Sequence, residues 1–375
     1  MKKIKVMIIF GTRPEAIKMA PLICELEKHS ETIESIVVVT AQHREMLDQV
    51  LTTFNLVPDY DLNMMKNQQT LIDVTTEGLK GLDDVIKRTL PDMILVHGDT
   101  TTTFIASLAA FYNHIPIGHV EAGLRTYHKY APYPEEINRQ LTSILADLHF
   151  APTVAAADHL RQEGKQDHIY VTGNTVIDAL SFTIQEDYTH PVLQNIGDER
   201  FLLLTAHRRE NLGEPLRRIF QAIHQLLDRH DDLHVIYPVH LNPQVSELAH
   251  EMLGDHPRIH LINPLDVVDF HNLAKKAYLI LTDSGGVQEE APSFGVPVLV
   301  LREKTERPEG VEAGVLKLVG TDSAAIVSEV SDLLTNKAAY QRMAQISNPY
   351  GDGEASKRIV DAILYYFNQT NEGHT

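Results

Sequence analysis

The sequence predicts an α/β protein with two Rossmann-like domains that face a cleft. Short apolar runs alternate with helical patterns along the chain, and hydrophobicity within each run is continuous rather than alternating. Such runs are typical of parallel strands that helices cover on both faces. The length of 375 residues exceeds one ordinary hydrophobic core and suits two domains.

The predicted strands form two series with a linker between them. The first series is Val6–Phe10, Ser35–Thr40, Met93–His97, Ile115–Val120, Leu148–Ala151 and Ile169–Val171. The second series is Phe201–Thr205, His234–Pro238, Ile259–Ile262, Leu279–Thr282 and Val296–Leu301. Gln185–Arg200 contains proline, glycine and several acids with little periodicity, so the switch between domains is predicted between Thr172 and this linker. We therefore predict an N-terminal domain at residues 1–172 and a C-terminal domain at 173–365.

A closing helix is predicted at about residues 354–367, after the turn at 348–353. Ile359, Ile363 and Leu364 have helical spacing within it. Because these apolar side chains share one face, the helix needs a surface to cover.

The composition limits the partners that the protein can bind. The chain carries 33 basic and 51 acidic residues, which give a formal net charge of −18. This balance argues against nonspecific nucleic-acid or anionic-membrane binding, so an anionic ligand must find a locally positive pocket. A single cysteine, Cys24, excludes an internal disulfide and a thiolate metal cluster. The apolar run Val6–Phe10 is too short for a signal or transmembrane segment, so we expect a soluble, cytoplasmic protein.

Residues 279–301 have the pattern of a phosphate-binding strand, turn and helix. The turn that follows the strand Leu279–Thr282 is Asp283, Ser284, Gly285 and Gly286. A helix that starts on two glycines leaves its first N–H groups uncovered, and these groups suit a phosphate. The alternative is a plain turn that needs glycine for its backbone geometry. Glu289 and Glu290 could accept hydrogen bonds from the hydroxyl groups of a ribose on the same ligand. This favours a nucleotide as the ligand.

Other strand ends are also polar, and ligands of open α/β sheets bind beyond the carboxyl ends of the strands. After the first strand, Thr12 and Glu15 have the spacing of a capping box, which is a structural role. Arg13 and Lys18 are not needed for capping, and cations at a helix N-terminus oppose the helix dipole. We therefore expect these two cations to face an anion.

Candidate acids and a histidine follow further strands. Asp99 follows the third strand, where a helix-capping role is the alternative, and Glu121 follows the fourth, where an unpaired acid would be costly. Glu135 and Glu136 open a helix, and the helix dipole explains one of them without indicating which. His207 stands beside two arginines at a strand end, which favours phosphate contact over a purely structural role.

The motifs that are absent from the sequence narrow the chemistry. No G-x-G-x-x-G sequence follows a strand, and the chain has neither a P-loop nor an HExxH motif. We therefore expect no NAD, no catalytic metal and no other cofactor. The remaining features are a nucleotide-diphosphate site and several acids, which support proton transfer coupled to departure of a diphosphate.

Five motifs resemble those of the non-hydrolysing bacterial UDP-N-acetylglucosamine 2-epimerases. In order they are residues 11–18 (GTRPEAIK), 97–103 (HGDTTTT), 120–125 (VEAGLR), 205–211 (TAHRREN) and 283–293 (DSGGVQEEAPS). The similarity continues through residues 348–354 (NPYGDGE), so it covers nearly the whole chain. Five motifs in the same order make the resemblance specific.

The resemblance implies the two-domain glycosyltransferase-B architecture, a homodimer, and a C-terminal helix whose residues 366–375 pack back on the first domain. It implies interconversion of UDP-GlcNAc and UDP-ManNAc without NAD or metal. UDP would leave by anti elimination to give 2-acetamidoglucal and would re-add after C2 is protonated from the opposite face. Two faces require more than one proton carrier, which fits several acids. The product would supply ManNAc for a cell-surface polysaccharide.

Matched motif by motif, the resemblance also implies roles for individual residues. Asp99, Glu121 and Glu135 would be the acid/base candidates, and His207 would assist the diphosphate. The residues holding substrate phosphates or sugar would be Arg13, Lys18, Ser284, Gly285, Gly286 and Arg307. The remaining contacts would be Glu290 to the ribose, Leu265 and Phe270 to the uracil, and Arg139, one helical turn after Glu135, to orient that acid.

Many bacterial members of this family bind a second UDP-GlcNAc as an activator. The matching residues here are Gln42, His43, Gln69 and Arg209. The sequence departs from that pattern because Glu45 stands where a glutamine is common and Gln68 where an arginine is common. An added acid and a lost cation near a diphosphate should weaken binding of the activator.

Other functions fit the same scaffold. A hydrolysing epimerase would release free ManNAc and UDP, and a retaining glycosyltransferase would use the same fold. A catalytically silent UDP-sugar sensor would keep the phosphate site and lose the acids, but all three acids are present.

Overall fold

The computed structural model describes residues 2–40, 44–64 and 69–372. The chain divides into two compact units: unit 1 comprises Met1–Phe182 and Tyr350–Thr375, and unit 2 comprises Thr183–Pro349. Each unit contains one parallel β-sheet with helices packed against it. The predicted α/β class with two parallel-sheet domains is therefore confirmed.

Strands and helices alternate along both units. Up to residue 183 they are β1 (Ile4–Phe10), α1 (Arg13–Lys28), β2 (Ile33–Val39), α2 (Arg44–Thr53), β3 (Tyr60–Asp61), α3 (Leu71–Thr89), β4 (Met93–His97), α4 (Thr101–Tyr112), β5 (Ile117–Val120), α5 (Glu135–Leu145), β6 (Leu148–Ala151), α6 (Val154–Gln162), β7 (Ile169–Val171) and α7 (Thr175–Thr183). Up to residue 344 they are α8 (Pro191–Ile196), β8 (Arg200–Thr205), α9 (Glu214–Arg229), β9 (Leu233–Pro238), α10 (Pro243–Leu253), β10 (Ile259–Ile262), α11 (Val267–Lys276), β11 (Leu279–Thr282), α12 (Gly285–Glu290), β12 (Val298–Val300), α13 (Pro308–Ala313), β13 (Leu316–Leu318), α14 (Ser323–Thr335) and α15 (Lys337–Ala344). Arg209–Asn211 and Ala291–Phe294 are turns of 3-10 helix, and the last helix is α16 (Ala355–Glu372). Within the described ranges, no helix combines the length and the apolar character that a membrane crossing requires.

The sheet of unit 1 has the strand order β3-β2-β1-β4-β5-β6-β7, and its strands are parallel. Residues Val6–Phe10 of the central strand β1 are fully buried. Met19 of α1 and Ile363 of α16 belong to the core on one face of the sheet, and Leu82 and Ile105 belong to the core on the other. Because helices cover both faces, the strands have uninterrupted apolar sequences.

The sheet of unit 2 is also parallel and has the order β10-β9-β8-β11-β12-β13. Phe220 of α9 and Val330 of α14 pack in its core. The central strands β8 and β11 pair so that Thr205 lies opposite Thr282. The segment after Thr205 and the turn after Thr282 are therefore neighbours at the carboxyl edge of this sheet.

The predicted strands agree closely with the structure. The bounds agree at both ends for Met93–His97, Leu148–Ala151, Ile169–Val171, Ile259–Ile262 and Leu279–Thr282. The other predicted strands differ by one or two residues at their ends, which is the ordinary uncertainty of such boundaries. β3 and β13 were not predicted because they are two and three residues long and include exposed positions. The short helix α8, within the predicted linker, was not predicted either.

The unit boundaries lie at residues 182/183 and 349/350, whereas 172/173 and 365/366 were expected. The first falls within the predicted interval between Thr172 and the linker. The difference arises because α7 and the whole of α16 belong to unit 1. The Asp178 carboxylate of α7 accepts the backbone N–H groups of Ala355 (3.2 Å) and Ser356 (2.7 Å) at the start of α16. Because of this contact, the chain returns to unit 1 at the start of α16 rather than partway along that helix.

Because two histidines are buried, we predict that the free energy of unfolding falls in mild acid. His119 on β5 and His149 on β6 lie opposite each other in the sheet. Burial lowers the pKa of His119 to about 3 and that of His149 to about 4. A histidine of the unfolded chain titrates near pH 6.5, so below that pH the unfolded state binds protons that the folded state does not. Stability is therefore fully present above about pH 6.5, and each histidine removes about 1 kcal/mol per pH unit as the pH falls towards the folded-state pKa.

Urea unfolding at about pH 7.5 and about pH 5.5 measures this loss. His119→Gln should reduce the loss, because glutamine can still donate to the Gly98 carbonyl that His119 contacts at 2.7 Å but does not titrate. His128→Gln, at an exposed position, is the control and should behave as the wild type does. An equal loss in the wild type and His119→Gln would contradict the assignment.

Candidate active site

The carboxyl edge of the unit 1 sheet carries polar residues from three neighbouring strands. β1 leads into α1 with Arg13 and Lys18, β4 ends at His97 and is followed by Asp99, and β5 is followed by Glu121. Because β1, β4 and β5 are adjacent and parallel, these segments leave the sheet on the same side. The structure brings Lys18, His97 and Glu121 into one cluster.

Glu121 is a buried carboxylate with three polar neighbours. Its Oε2 forms an ion pair with Lys18 Nζ, accepts a hydrogen bond from Asn174 Nδ2 (2.8 Å) and lies 3.6 Å from His97 Nε2. Its backbone φ of +61° is in the left-handed region, which is uncommon for a residue other than glycine. Burial favours a raised pKa, but Lys18 and His97 outweigh burial and hold the pKa of Glu121 well below its ordinary value. Glu121 is therefore ionised.

Asp99 also pairs with a cation, but its pKa is shifted in the opposite direction. Its Oδ2 accepts a hydrogen bond from Arg139 Nη2 at 2.6 Å, and its backbone oxygen accepts one from Asn138 Nδ2 at 3.0 Å. Burial raises the pKa of Asp99, Arg139 opposes this effect, and the negative charges of Glu121 and Glu135 add to it. The net shift is upwards, so Asp99 holds a proton more readily than Glu121 does. Neighbouring carboxyl groups whose pKa values are moved apart suit opposite acid and base roles.

The structure distinguishes the two glutamates that open α5. The fully buried Glu136 accepts the backbone N–H groups of Thr126 (3.1 Å) and Tyr127 (2.9 Å), so its role is to hold the preceding loop. Glu135 is half-buried at the first position of the helix. Arg139 was expected to orient Glu135, but its guanidinium group contacts Asp99 and lies 3.5 Å from Glu136 instead.

The predicted capping box after β1 is confirmed. Thr12 Oγ1 accepts the Glu15 N–H at 3.5 Å, and Glu15 Oε2 accepts the Thr12 N–H at 2.8 Å. Glu15 Oε1 also accepts the hydroxyl group of Thr100 at 2.7 Å, which joins the loops after β1 and β4. Arg13 is the first residue of α1 and is partly exposed, while Lys18 is engaged with Glu121. A phosphate contact by either cation stays a prediction.

In unit 2, a second buried carboxylate organises the segment after β8. Asp283 Oδ2 accepts the backbone N–H groups of His207 and Arg208, each at 2.9 Å, and Asn211 Nδ2 at 3.0 Å. The His207 ring stacks on His240 with centroids 5.0 Å apart. Burial lowers the pKa of His207, and Asp283 opposes this shift.

The predicted phosphate turn begins the short helix α12. Ser284 is the N-cap residue and makes no side-chain cap hydrogen bond, so its side chain leaves the first N–H groups of the helix uncovered. A Cβ at Gly285 would lie 2.9 Å from Glu306 Oε1, so a larger residue there would require the Glu306 side chain to move. Gly286 follows Gly285 in the first turn of α12.

The other residues of unit 2 that were predicted to contact the ligand either pair with protein groups or lie in the segment that follows β10. Arg307 forms an ion pair with Glu289. Glu290, which was expected to bind a ribose, accepts a hydrogen bond from His271 Nε2 at 3.2 Å. Leu265 and Phe270 are half-buried residues just before and within α11. Their ligand contacts stay predictions.

The residues expected to bind an activator are described only in part. Gln42, His43 and Gln68 lie outside the described residues. Gln69 Nε2 donates to Glu77 Oε2 at 3.4 Å, and Arg209 is exposed at the start of a 3-10 turn.

Two residues of the candidate site, Asn174 and Asp283, were not predicted from the sequence to contribute to it. Asn174 follows β7 and could have been found as another polar residue at a strand end, but its amide contact with Glu121 spans 53 positions. Asp283 was part of the predicted turn, and only the structure shows that its side chain faces the segment after β8. Within the described part of the chain, no group of three or more His, Cys, Asp or Glu side chains is arranged to hold a metal ion.

The chain matches a known protein family over most of its length. The family model described as UDP-N-acetylglucosamine 2-epimerase matches residues 25–364. The UDP-N-acetylglucosamine 2-epimerase of Bacillus subtilis (strain 168) is 61% identical over 373 residues, which cover 99% of this chain and 98% of the relative.

Solved structures give the same result. A crystal structure of a Listeria monocytogenes protein has a TM-score of 0.94 and 58% identity, covering 98% of each chain. The UDP-GlcNAc 2-epimerase from Neisseria meningitidis, solved with bound UDP-GlcNAc, has a TM-score of 0.86 and 50% identity, covering 96% of this chain and all of the relative.

The fold and the two residue clusters define a two-unit α/β protein of the glycosyltransferase-B type. The glycotransferase of kitacinnamycin shares this fold with a TM-score of 0.67 at 13% identity, a likeness that shows the fold alone. With the family match and the 61% identical relative, the chain belongs to the UDP-N-acetylglucosamine 2-epimerase family, whose members are isomerases.

Replacing Lys18 tests whether its ammonium group keeps Glu121 ionised. In Lys18→Gln we expect the pKa of Glu121 to rise, because the main charge opposing the effect of burial is lost. The Glu121 carboxyl signal in a ¹³C NMR pH titration, assigned with Glu121→Gln, measures the shift. Lys28→Gln on the same helix is the matched control, since Lys28 pairs with Glu25 and is exposed. An unchanged Glu121 titration in Lys18→Gln would contradict the role of the ion pair.

Proposed function

We propose that this protein interconverts UDP-GlcNAc and UDP-ManNAc by the non-hydrolysing route. A carboxylate removes the C2 proton while UDP leaves C1 from the opposite face, so a C1–C2 double bond forms and gives bound 2-acetamidoglucal. C2 is then protonated from the other face and UDP re-adds at C1. No electrons are gained or lost overall, so the reaction needs proton carriers and a stabilised diphosphate rather than an oxidant.

The observation that carries this proposal is that two carboxyl groups at the edge of the unit 1 sheet, Asp99 and Glu121, each pair with a cation but have pKa values shifted in opposite directions. Glu121 is held ionised by Lys18 and can accept the C2 proton. Asp99 has a raised pKa and can supply a proton to the other face. The two groups exchange these roles in the reverse direction. Glu135 is the third candidate, and its charge acts on Asp99.

The groups of unit 2 are proposed to hold the nucleotide. The uncapped N–H groups after Ser284, the His207 imidazole and the Arg307 guanidinium group suit the diphosphate, because they can stabilise the charge that develops on departing UDP. Glu290 would contact the ribose, and Leu265 and Phe270 the uracil. Bound UDP-GlcNAc in the Neisseria meningitidis relative supports this choice of substrate.

Incubation with UDP-GlcNAc in deuterated water tests the elimination route. We expect UDP-ManNAc that carries deuterium at C2, formed without added NAD, because C2 is reprotonated from a group that exchanges with solvent. Mass spectrometry and NMR of the product measure the label and its position. Epimerised product with an unlabelled C2 would reject elimination, and free ManNAc with UDP would indicate the hydrolysing reaction.

Neutral replacements of the three acids test their proton-transfer roles. Asp99→Asn, Glu121→Gln and Glu135→Gln should each lower kcat by roughly 100-fold or more. Steady-state rates of UDP-ManNAc formation measure the effect. Asp158→Asn on α6 is the control, because Asp158 forms an exposed ion pair with Arg161. A variant that turns over at the wild-type rate would remove its residue from the mechanism.

A second UDP-GlcNAc site that activates the enzyme is the further part of the proposal. It would use Gln42, His43, Gln69 and Arg209, and Glu45 and Gln68 should weaken it. Its test is the dependence of rate on UDP-GlcNAc concentration, together with the reaction of UDP-ManNAc alone. Hyperbolic kinetics and an unaided reverse reaction would reject the activator.

The proposal also includes the oligomeric state, the compartment and the metabolic role of the enzyme. By resemblance to its family, it would act as a homodimer in the cytoplasm and supply ManNAc for a cell-surface polysaccharide. The single cysteine favours a reducing compartment.

A further inference from the structure

Asp283 uses its two carboxylate oxygens differently. Oδ2 accepts three hydrogen bonds, from the backbone N–H groups of His207 and Arg208 and from Asn211 Nδ2. Oδ1 is buried and has no hydrogen-bond partner among the residues that the structure describes. A buried carboxylate oxygen without a donor is costly, so this oxygen needs a partner in the working enzyme.

The group facing that oxygen is the imidazole of His207. Its Nδ1 lies 3.7 Å from Asp283 Oδ1, and a small movement of the ring would bring the two atoms to the usual hydrogen-bond distance of about 3 Å. The His207 side chain is 36% exposed while Asp283 is fully buried. One side of the ring therefore faces the carboxylate and another is open to a ligand.

The other charged or titratable groups around His207 do not take the place of Asp283. His240, after β9, stacks on the ring, but its Nδ1 accepts the backbone N–H of Asn242 at 3.0 Å, so that nitrogen carries no proton. Arg208 directs its Nε to the Asp283 backbone oxygen (3.2 Å) and its Nη2 towards Glu306 at 3.6 Å. Burial lowers the pKa of His207, Asp283 opposes this shift, and His240 and Arg208 add to it, so Asp283 is the group here that favours a protonated ring.

We infer that Asp283 is a positioning residue that accepts the Nδ1–H of His207 and so directs a protonated Nε2 towards the diphosphate. The inference rests on the proposed function, in which His207 assists departure of UDP. An imidazolium ring oriented in this way offers both a hydrogen bond and a positive charge to the leaving group. The same carboxylate fixes the backbone of residues 207 and 208, so ring and loop are positioned together.

The isosteric variant Asp283→Asn separates the two functions of the carboxylate. Its amide oxygen can occupy the place of Oδ2 and still accept the three hydrogen bonds that hold the segment. Its NH₂ group then replaces Oδ1 and donates a hydrogen bond where the native oxygen accepts one. The neutral His207 ring should therefore change from Nδ1–H to Nε2–H, and its protonated form should lose its stabilising charge.

Nitrogen-15 NMR of the histidine rings, with the His207 signal assigned from His207→Asn, measures the tautomer in the free protein and with UDP. We expect protonated Nδ1 in the wild type, and in Asp283→Asn a tautomer change and a titration midpoint lower by about one pH unit or more. The same tautomer and midpoint in both proteins would overturn the inference. An unprotonated Nδ1 in the wild type would also overturn it, even if the variant failed to fold.

Kinetics of the single and double variants exclude a purely structural role. Asp283→Asn should lower kcat by about 100-fold in the wild-type background and by less than about 3-fold in the His207→Asn background. Equal losses in both backgrounds would assign Asp283 to the loop alone. Absence of epimerisation by the wild type would reject the proposed function, while the tautomer measurement would still decide the Asp283–His207 contact.

Discussion

The ion pair between Lys18 and Glu121 is the interaction on which the proposed proton chemistry of unit 1 depends. Its side chains are only 14% and 9% exposed, and each charge would be costly to bury without the other. The pair joins α1 to the end of β5, and Asn174 adds the segment after β7. Three parts of the chain that are distant in sequence thus hold one carboxylate in one orientation and one charge state.

The two units share a structural feature at the carboxyl ends of their strands. In unit 1, Glu121 accepts a hydrogen bond from the segment after β7, and in unit 2 Asp283 accepts hydrogen bonds from the segment after β8. In both places a buried carboxylate joins loops that leave a parallel sheet on the same side. The backbone of these loops is fixed by groups that also set the local charge, so loop geometry and electrostatics are coupled.

Much of the fold and the location of the candidate site could be predicted because they depend on local patterns. Continuous apolar runs gave the strands, and the spacing of Thr12 and Glu15 gave the capping box. Contacts between distant residues could not be predicted in this way. The pairing of Lys18 with Glu121 is one such contact, and the contact of Arg139 with Asp99 rather than Glu135 is another. Which of Glu135 and Glu136 has a structural role depends on which side chain contacts the loop at residues 126–127, and that side chain is Glu136.

The return of the chain to unit 1 has a consequence for synthesis on the ribosome. Ile359, Val360 and Ile363 of α16 complete the hydrophobic core that contains Met19 of α1, and all of unit 2 separates them in sequence. Unit 2 is continuous, so it can form its own core as soon as it has emerged. This face of the unit 1 sheet can be fully covered only after residues 355–363 have followed unit 2 out of the ribosome.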